Sequence, residues 1–330
     1  MANVVVAGGA GFIGSHLCKR LLDEGHTVYC IDNLITGAKE NIEPFLSNPK
    51  FTFLEFDLGK QSDTLSDSFK EVDYIFHLAS PASPNKKSER SYINFPIETL
   101  LANSTGTYNL LNLAREKGAK FLFASTSEVY GNPNVSPQPE TYFGNVNPNG
   151  VRSVYDEAKR FGEAMTFGYH RKHGVDVRIV RIFNTYGPYM QKDDGRVVST
   201  FINQALDGES LTIFGDGSQT RSFCYVDDMV EALIKAQFTQ GTNGQVINLG
   251  NTDERKIDEI ATLVKTLVGS ESAIIHEPLP EDDPLQRKPD ISKAKSLLGW
   301  EPKVSLEDGL NKTIAYFKSP SPESLEKSIV

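Results

Sequence analysis

Hydrophobic and polar positions alternate along the first half of the chain in blocks that predict strands and helices in turn. The β-branched run at 4–6 predicts a buried strand, and the amphipathic run at 12–24 predicts the helix that follows it. The same patterns predict further helices at 95–116 and 153–173 and further strands at 27–31, 51–56, 72–78, 121–125 and 175–183. Because strands that alternate with helices form parallel sheets covered on both faces, we predict a doubly wound α/β fold with ligands at the carboxyl ends of the strands.

Three glycines join the first predicted strand to the first helix. Gly8, Gly11 and Gly14 have the spacing G-x-x-G-x-x-G, which allows a tight turn, close approach of a phosphate to the backbone, and close packing of helix on strand. The second strand ends at Asp32, whose carboxylate can accept hydrogen bonds from ribose hydroxyls and repel a 2′-phosphate. This pattern indicates a Rossmann-type site for NAD rather than NADP. The alternative is a βαβ unit without a ligand, in which Asp32 is simply solvated.

The pattern becomes irregular after about Gly187. There we predict helices at 197–206, 226–238 and 257–268, and strands at 211–214 and 246–249. We divide the chain into a mainly NAD-binding domain (1–186), a mainly substrate-binding lobe that returns some residues to the first sheet (187–317), and a Pro/Ser-rich tail predicted to be disordered (318–330).

Two segments of the first domain call for closer interpretation. The polar, charged segment 84–94 is predicted to be a mobile loop on the surface. The helix at 95–116 has a broad apolar arc, which either packs on the sheet alone or is also buried against a partner subunit.

Tyr155 and Lys159 form the pattern Y-x-x-x-K on the helix at 153–173. This spacing places both side chains on one helix face, roughly 6 Å apart along the axis. A lysine cation beside a phenol favours the phenolate and lowers the tyrosine pKa, which makes a base usable near neutral pH. A surface Tyr/Lys pair is the usual explanation of an isolated match, but here the pair follows a dinucleotide pattern and the Ser/Thr-rich strand end at 125–127.

Composition narrows the classes of function and location. The 34 basic and 43 acidic residues give a net charge of −9, which argues against binding to nucleic acid or to anionic membranes. Cys18, Cys30 and Cys224 lack metal-ligand spacing and are predicted to be free thiols, so no metal is expected. The chain contains no apolar run long enough to span a membrane and no signal peptide, and we predict a soluble, cytoplasmic protein.

Two arginines in the second half are candidate anion ligands. Arg221 lies in DGSQTRSF, just before the strand-like run FCYV at 223–226, and Arg287 lies in DDPLQRKPD. A guanidinium can hold a phosphate or a carboxylate with two parallel hydrogen bonds. Either residue could equally be a solvated or ion-paired surface arginine.

Together, AGGAGFIG, Asp32, STSEVYG, YDEAK, RIFNTYGP, DDGRVVS, GDGSQTRSFCYVDD, NLGN and QRKPD resemble the extended short-chain dehydrogenases/reductases over residues 3 to about 317. More narrowly, they resemble the UDP-glucuronate decarboxylases. Ser127 beside Glu128, with Arg287 downstream, is similar to the decarboxylase pattern. The sister 4,6-dehydratases usually have Asp at position 127, and the sister 4-epimerases are usually uncharged at position 128.

The resemblance implies an NAD-dependent decarboxylation of UDP-glucuronate to UDP-xylose through a 4-keto sugar, with NAD recycled. The implied catalytic residues are Tyr155 as base, Lys159, Thr126, Ser127, Glu128, and Arg287 for the carboxylate. The implied substrate ligands are Thr126, Asn184, Arg196, Arg221 and Arg287. The implied NAD ligands are Gly8, Gly11, Phe12, Ile13, Gly14, Asp32, Asn33, Thr36, Gly37, Asp57, Leu58, Leu78, Ala79, Ser80, Tyr155, Lys159 and Thr185. A homodimer through the helices at 95–116 and 153–173 is also implied.

The chain departs from the family pattern at three places. Ala7 replaces a frequent Thr, the segment 84–94 is several residues longer than usual, and Leu101 stands where decarboxylases often have a Lys that reaches the sugar nucleotide. The alternative is a 4-epimerase or 4,6-dehydratase of a nucleotide sugar: the last two departures keep the 4-epimerase open, whereas Ser127 argues against the dehydratase. A non-catalytic dinucleotide sensor would typically have lost the Tyr/Lys pair, and Asp32 speaks against a reductase that exchanges NADPH.

Overall fold

The computed structural model describes residues 1–279 and 286–318, and within them strands and helices alternate as the sequence pattern predicts. The strands are β1 (Asn3–Ala7), β2 (Thr27–Asp32), β3 (Phe51–Glu55), β4 (Tyr74–His77), β5 (Lys120–Thr126), β6 (Val177–Ile182), β7 (Thr185–Tyr186), β8 (Leu211–Phe214), β9 (Thr220–Ser222), β10 (Cys224–Tyr225), β11 (Gln245–Leu249), β12 (Glu254–Lys256), β13 (Ile274–Glu277) and β14 (Gln286–Arg287). The helices are α1 (Phe12–Asp23), α2 (Pro96–Asn103), α3 (Thr105–Lys117), α4 (Ser153–His173), α5 (Val197–Asp207), α6 (Val226–Phe238), α7 (Ile257–Val268), α8 (Ser292–Leu298) and α9 (Leu306–Lys318).

Seven of these strands form one parallel sheet in the order β11-β6-β5-β4-β1-β2-β3. The chain runs outward from β1 to β3, then crosses back to β4 and runs outward in the other direction. At such a switch point the loops after β1 and β4 diverge and leave a crevice at the carboxyl edge of the sheet. The predicted doubly wound parallel sheet is therefore confirmed.

The central strand β1 is buried from both sides. Val4 and Val6 belong to the core cluster that contains Leu17 of α1, whereas Val5 belongs to the cluster on the other face that contains Leu110 of α3. Successive residues of a strand point to opposite faces, and helices cover both faces of this sheet. This double coverage explains why β1 is a continuous apolar run rather than an alternating one.

The second half of the chain returns to this sheet. Strand β11 pairs in parallel with β6, and helix α6 packs on α1. The other short strands form three small sheets, with the orders β10-β7, β12-β9-β14 and β13-β8. The domain limits at 186 and 187 remain a prediction. The predicted disordered tail lies outside the described residues, apart from Lys318 at the end of α9.

Two predicted elements are wrong in detail. The helix at 95–116 is divided into α2 and α3 at Ser104, where the backbone has φ −104° and ψ −77°. The Ser104 hydroxyl donates a hydrogen bond to the Leu100 carbonyl at 2.7 Å, and such side chains compete with the backbone for helical carbonyls. The strand-like run at 223–226 is also interrupted, because Cys224–Tyr225 forms β10 and Val226 begins α6.

The segment 84–94 lies at the surface as predicted, with Lys86, Lys87, Glu89, Arg90 and Asn94 exposed, but it is also anchored to the rest of the protein. Ser88 and Tyr92 are almost completely buried. The Ser88 hydroxyl donates to the Asp193 carboxylate at 2.8 Å, and the Asn85 amide donates to the Asp193 carbonyl at 3.0 Å. These bonds join the segment to the chain that leads into α5, so side chains that look exposed in sequence are used for tertiary contacts.

Candidate active site

All the site residues named from the sequence line one cavity of about 1030 Å³ at the carboxyl edge of the sheet. The cavity lies between the loops of the main sheet and the small sheets formed by the second half of the chain. The structure therefore brings together residues from position 8 to position 287.

The glycine turn after β1 has a shape that larger residues would not permit. Gly8 has a φ of +81°, in the left-handed region that favours glycine. A Cβ on Gly14 would lie 2.0 Å from the Gly8 carbonyl oxygen, so α1 packs on the turn only because residue 14 is glycine. Gly11 caps α1, and among the described residues no side chain caps this helix end. Its first N–H groups therefore face the cavity as an anion site.

Asp32 ends β2 inside the same cavity. Its carboxylate accepts hydrogen bonds from the backbone N–H of Ala10 at 3.0 Å and of Leu34 at 2.9 Å. Burial raises the pKa of this carboxyl, and the two N–H bonds lower it. A Cβ on Gly37 would lie 2.8 Å from the carboxylate, which keeps residue 37 small. A glycine turn and a fixed carboxylate at these positions fit a dinucleotide, with pyrophosphate on the turn and ribose on Asp32.

Tyr155 and Lys159 lie on the first turns of α4 and face β5. The Lys159 ammonium donates to the Ala124 carbonyl at 2.9 Å and lies 5.8 Å from the centre of the Tyr155 ring. Burial raises the pKa of Tyr155, whereas a hydrogen bond with the Thr126 hydroxyl lowers it. Burial lowers the pKa of Lys159 to about 7, and the nearby Glu163 carboxylate raises it. Burial thus raises the pKa of Tyr155 by more than neighbouring protein groups lower it. The sequence analysis predicts the opposite direction, a lowering by Lys159.

Glu128 is the centre of an ion cluster two residues beyond Thr126. Its carboxylate pairs with the Arg287 guanidinium and with the Arg152 guanidinium, the latter at 2.5 Å. Arg287 also donates to the Ser127 hydroxyl at 3.4 Å and to the Gly131 carbonyl at 3.0 Å. Burial lowers the pKa of Arg287 to about 10, so the guanidinium is still a cation at neutral pH.

Arg287 has one further donor that faces no protein acceptor. Its Nε–H is buried and has no hydrogen-bond partner among residues 1–279 and 286–318. A buried donor without a partner is costly, and a bound anion would remove that cost. Because Arg287 also lines the cavity, its guanidinium is a candidate ligand for a carboxylate there.

The other predicted substrate ligands reach the cavity from the second half of the chain. Arg221 on β9 lies opposite Arg287 on β14 in the same small sheet. Arg196 is held by Asp194 through two hydrogen bonds of 2.5 and 2.7 Å. Burial alone would lower the pKa of Arg196, but the Asp194 carboxylate raises it. Asn184 lies at the cavity wall beside β10.

Two cavity residues were missed by the sequence analysis. Arg152 pairs with Glu128 and precedes Tyr155 by three positions, so helical spacing could have placed it on the same face as Tyr155. Tyr92 stacks on Tyr155 with ring centres 5.1 Å apart and planes 10° apart. No local pattern predicts this stack, because the course of the segment 84–94 is set by its contacts with a distant loop.

Leu101 lines the same cavity. A Cβ on Gly59 would lie 3.3 Å from the Leu101 Cβ and 3.1 Å from an Asp57 carboxylate oxygen, so Leu101 lies near this predicted NAD ligand. The effect of Leu101 on the choice of sugar nucleotide remains a prediction.

Comparison with known proteins shows which family and which relatives this chain is similar to. The model of the NAD dependent epimerase/dehydratase family matches residues 4–250. UDP-glucuronic acid decarboxylase 1 from Danio rerio is 50% identical over 315 residues, which cover 96% of this chain and 72% of that protein. UDP-glucuronic acid decarboxylase 3 from Arabidopsis thaliana is 51% identical over 309 residues, which cover 93% of this chain and 86% of that protein.

Solved structures of epimerases have the same fold. The UDP-glucuronic acid 4-epimerase from Bacillus cereus, in complex with UDP-glucuronic acid and NAD, has a TM-score of 0.86 and 32% identity, covering 97% of this chain and 100% of that one. The UDP-glucose 4-epimerase from Thermotoga maritima, with UDP-glucose, has a TM-score of 0.87 and 33% identity, covering 96% of this chain and 99% of that one. Within the described part of this chain, no helix is long and apolar enough to cross a membrane.

Proposed function

Because this chain belongs to the NAD dependent epimerase/dehydratase family, we propose that it decarboxylates UDP-glucuronate to UDP-xylose with a tightly bound NAD. The observation that supports this reaction best is the ion pair of the buried Arg287 with the half-buried Glu128, in the same cavity as Tyr155. Relatives that are about 50% identical over most of this chain are named UDP-glucuronic acid decarboxylases.

The first step is removal of the proton from the sugar C4 hydroxyl. We assign this step to Tyr155, with Thr126 donating a hydrogen bond to the same sugar oxygen. NAD, when bound, supplies a reversible two-electron acceptor for C4. The glycine turn would hold its pyrophosphate, Asp32 its adenosine ribose, and Lys159 its nicotinamide ribose.

The second step breaks the bond between C5 and the carboxylate. A ketone at C4 is β to that carboxylate, so the electron pair of the breaking bond moves into an enolate as carbon dioxide leaves. C5 then takes up a proton, and the ketone at C4 is reduced again. The protein has to orient the carboxylate and stabilise the enolate oxygen.

We assign the carboxylate to Arg287. Its buried Nε–H has no protein acceptor among the described residues, and Glu128 pairs with Nη1 of the same guanidinium. Ser127 and Glu128 would assist by desolvating the carboxylate or by delivering the proton to C5. Asn184, Arg196 and Arg221 would bind the UDP part or order the loop around it.

The test is incubation of the purified protein with UDP-glucuronate, with and without added NAD. Mass spectrometry and proton NMR of the sugar nucleotide should show loss of carbon dioxide and a pentose product, also without added NAD. An unchanged mass with a changed C4 proton coupling would instead identify a 4-epimerase.

We also propose a homodimer formed through α2, α3 and α4. Large apolar side chains are exposed along these helices, among them Ile97, Leu100, Tyr108 and Phe161. Light scattering should give twice the chain mass, and Ile97→Asp should shift it towards the monomer.

The free thiols of Cys18, Cys30 and Cys224 suit the reducing, cytoplasmic compartment that we expect.

A further inference from the structure

Arg287 is carried by a short segment that belongs to neither the main sheet nor a long helix. On one side, strand β14 pairs with β9, so Arg287 is attached to the second half of the chain. On the other side, residues 288–290 lie against the loop at 135–140, which follows the turn that contains Glu128. The position of the guanidinium therefore depends on how these two attachments are held.

Gln138 holds the segment through its backbone and its side chain. Its N–H donates to the Lys288 carbonyl at 2.8 Å, and its own carbonyl accepts from the Asp290 N–H at 2.9 Å. The Gln138 side-chain oxygen accepts from the Lys288 N–H at 2.8 Å, and its amide donates to the Val135 carbonyl at 2.7 Å. Gln138 is fully buried, so these bonds lie largely away from water.

Asn248 joins the same segment to the main sheet and to the turn that carries Glu128. It lies near the end of β11 and is fully buried. Its amide donates to the carbonyls of Gln138 at 2.9 Å and Asp290 at 3.3 Å. Its side-chain oxygen accepts from the Tyr130 hydroxyl at 2.8 Å, and Tyr130 is the last residue of the turn that begins at Ser127.

The Asn248 side chain thus connects the turn that contains Glu128 with the segment that contains Arg287. Tyr130 is two residues beyond Glu128, and Asp290 is three residues beyond Arg287. Because the Asn248 amide is planar and both its ends are bonded, it fixes the distance between the turn and the Arg287 segment. Arg181 extends this connection, since its guanidinium donates to the Tyr130 hydroxyl at 2.9 Å and pairs with Glu163 at 2.8 Å.

We propose that Asn248 and Gln138 are positioning residues for decarboxylation, which hold Arg287 at the substrate carboxylate without touching substrate themselves. The inference rests on the proposed function for its chemical meaning. It assigns a role to NLGN, the sequence element that contains Asn248 and that the catalytic residues leave unexplained. Loss of the hydrogen bonds of the Asn248 and Gln138 side chains should leave the C4 oxidation intact and slow the release of carbon dioxide.

The experiment compares Asn248→Leu and Gln138→Leu with wild type, each as the NAD-loaded enzyme mixed with UDP-glucuronate. Reduced cofactor is followed by its absorbance, and carbon dioxide release is measured in the same samples. A displacement of about 1 Å can cost about 10²-fold in rate. We therefore expect carbon dioxide release to fall between about tenfold and 10²-fold, while reduced cofactor forms at the wild-type rate and accumulates. The Gln138 variant loses two side-chain bonds but keeps its two backbone bonds to Lys288 and Asp290, so it remains informative if the Asn248 variant fails to fold.

Gln237→Leu is the matched control. Gln237 is a fully buried amide that donates to the carbonyls of Ile75 at 3.2 Å and Lys120 at 3.0 Å. Both carbonyls lie near the amino ends of their strands, β4 and β5, whereas the cavity lies at the carboxyl ends. Its loss should reduce thermal stability to a similar degree without separating the two steps. If both steps slow together in the Asn248 and Gln138 variants, or if neither changes, the positioning role is refuted.

Hydrogen exchange separates this inference from the proposed function. The amides of Lys288 and Asp290 should exchange faster in the Asn248 and Gln138 variants than in wild type or in the control. If wild type releases no carbon dioxide, the proposed function fails whatever the exchange shows. Unchanged exchange at both amides would refute the positioning role of Asn248 and Gln138 even in an active decarboxylase.

Discussion

The candidate site has two halves that are built in different ways. In the oxidation half, the glycine turn follows β1, and Asp32 and Thr126 end β2 and β5 of the same sheet. Tyr155 and Lys159 lie on α4, which packs against β5. In the carboxylate half, the central ion pair joins Glu128 to a residue 159 positions away in the sequence, on a small sheet of the second half. The oxidation half is fixed by the main fold, whereas the carboxylate half depends on the docking of a distant segment. Enzymes that share the oxidation of C4 can therefore differ in the carboxylate half of the site, and hence in the step that follows, without a change in the main sheet.

The largest expected effect comes from removing the base of the oxidation half. Tyr155→Phe should lower turnover by about 10³-fold, because the C4 hydroxyl then has no group to take its proton. Neither reduced cofactor nor carbon dioxide should appear, although NAD extracted from the purified variant should match wild type. Tyr169→Phe on the same helix is the control, since its hydroxyl bonds to Asn112 away from the catalytic residues. An active Tyr155→Phe enzyme would remove the proposed base.

A smaller and more selective effect is expected from the carboxylate half. Glu128→Gln leaves Arg287 and Arg152 without their shared anion, so carbon dioxide release should fall by about 10²-fold while reduced cofactor still forms. The matched control is Glu231→Gln on α6, where a carboxylate also pairs with two cations, Lys235 and Lys303. Equal loss of both steps in Glu128→Gln would mean that the two halves do not act separately.

The smallest effect concerns stability rather than turnover. Burial lowers the pKa of Lys159 to about 7 from an ordinary 10.5, so the folded state binds fewer protons than the unfolded state between these values. Stability due to this group should therefore be lowest below pH 7 and should rise as the pH increases towards 10.5. In nucleotide-free protein, Lys159→Met should raise Tm most below pH 7, and the gain should shrink towards pH 10. Lys172→Met, on the exposed face of α4, should show no such trend.

The same contrast explains what could be predicted from the sequence. Gly8, Asp32, Tyr155 and Lys159 were found by spacing, because each spacing acts within one turn, strand or helix. Arg287 alone was no more than a candidate anion ligand, and only the family resemblance linked it with Ser127 and Glu128.

The remaining failures have physical causes that spacing does not record. The apolar pattern continues through Ser104, so the break between α2 and α3 was missed, since it depends on side-chain hydrogen bonds to helical carbonyls. The stack of Tyr92 on Tyr155 depends on contacts of the segment 84–94 with Asp193, which no local pattern contains.

The separation of the two halves is tested most directly by Arg287→Met mixed with UDP-glucuronate, with reduced cofactor and carbon dioxide measured in the same reaction. Arg255→Met is the control, because Arg255 is an exposed residue of the same small sheet. We predict that the Arg287 variant accumulates reduced cofactor at a rate close to wild type and releases carbon dioxide at least about 10²-fold more slowly. Carbon dioxide release at the wild-type rate would contradict the assignment of the carboxylate to Arg287.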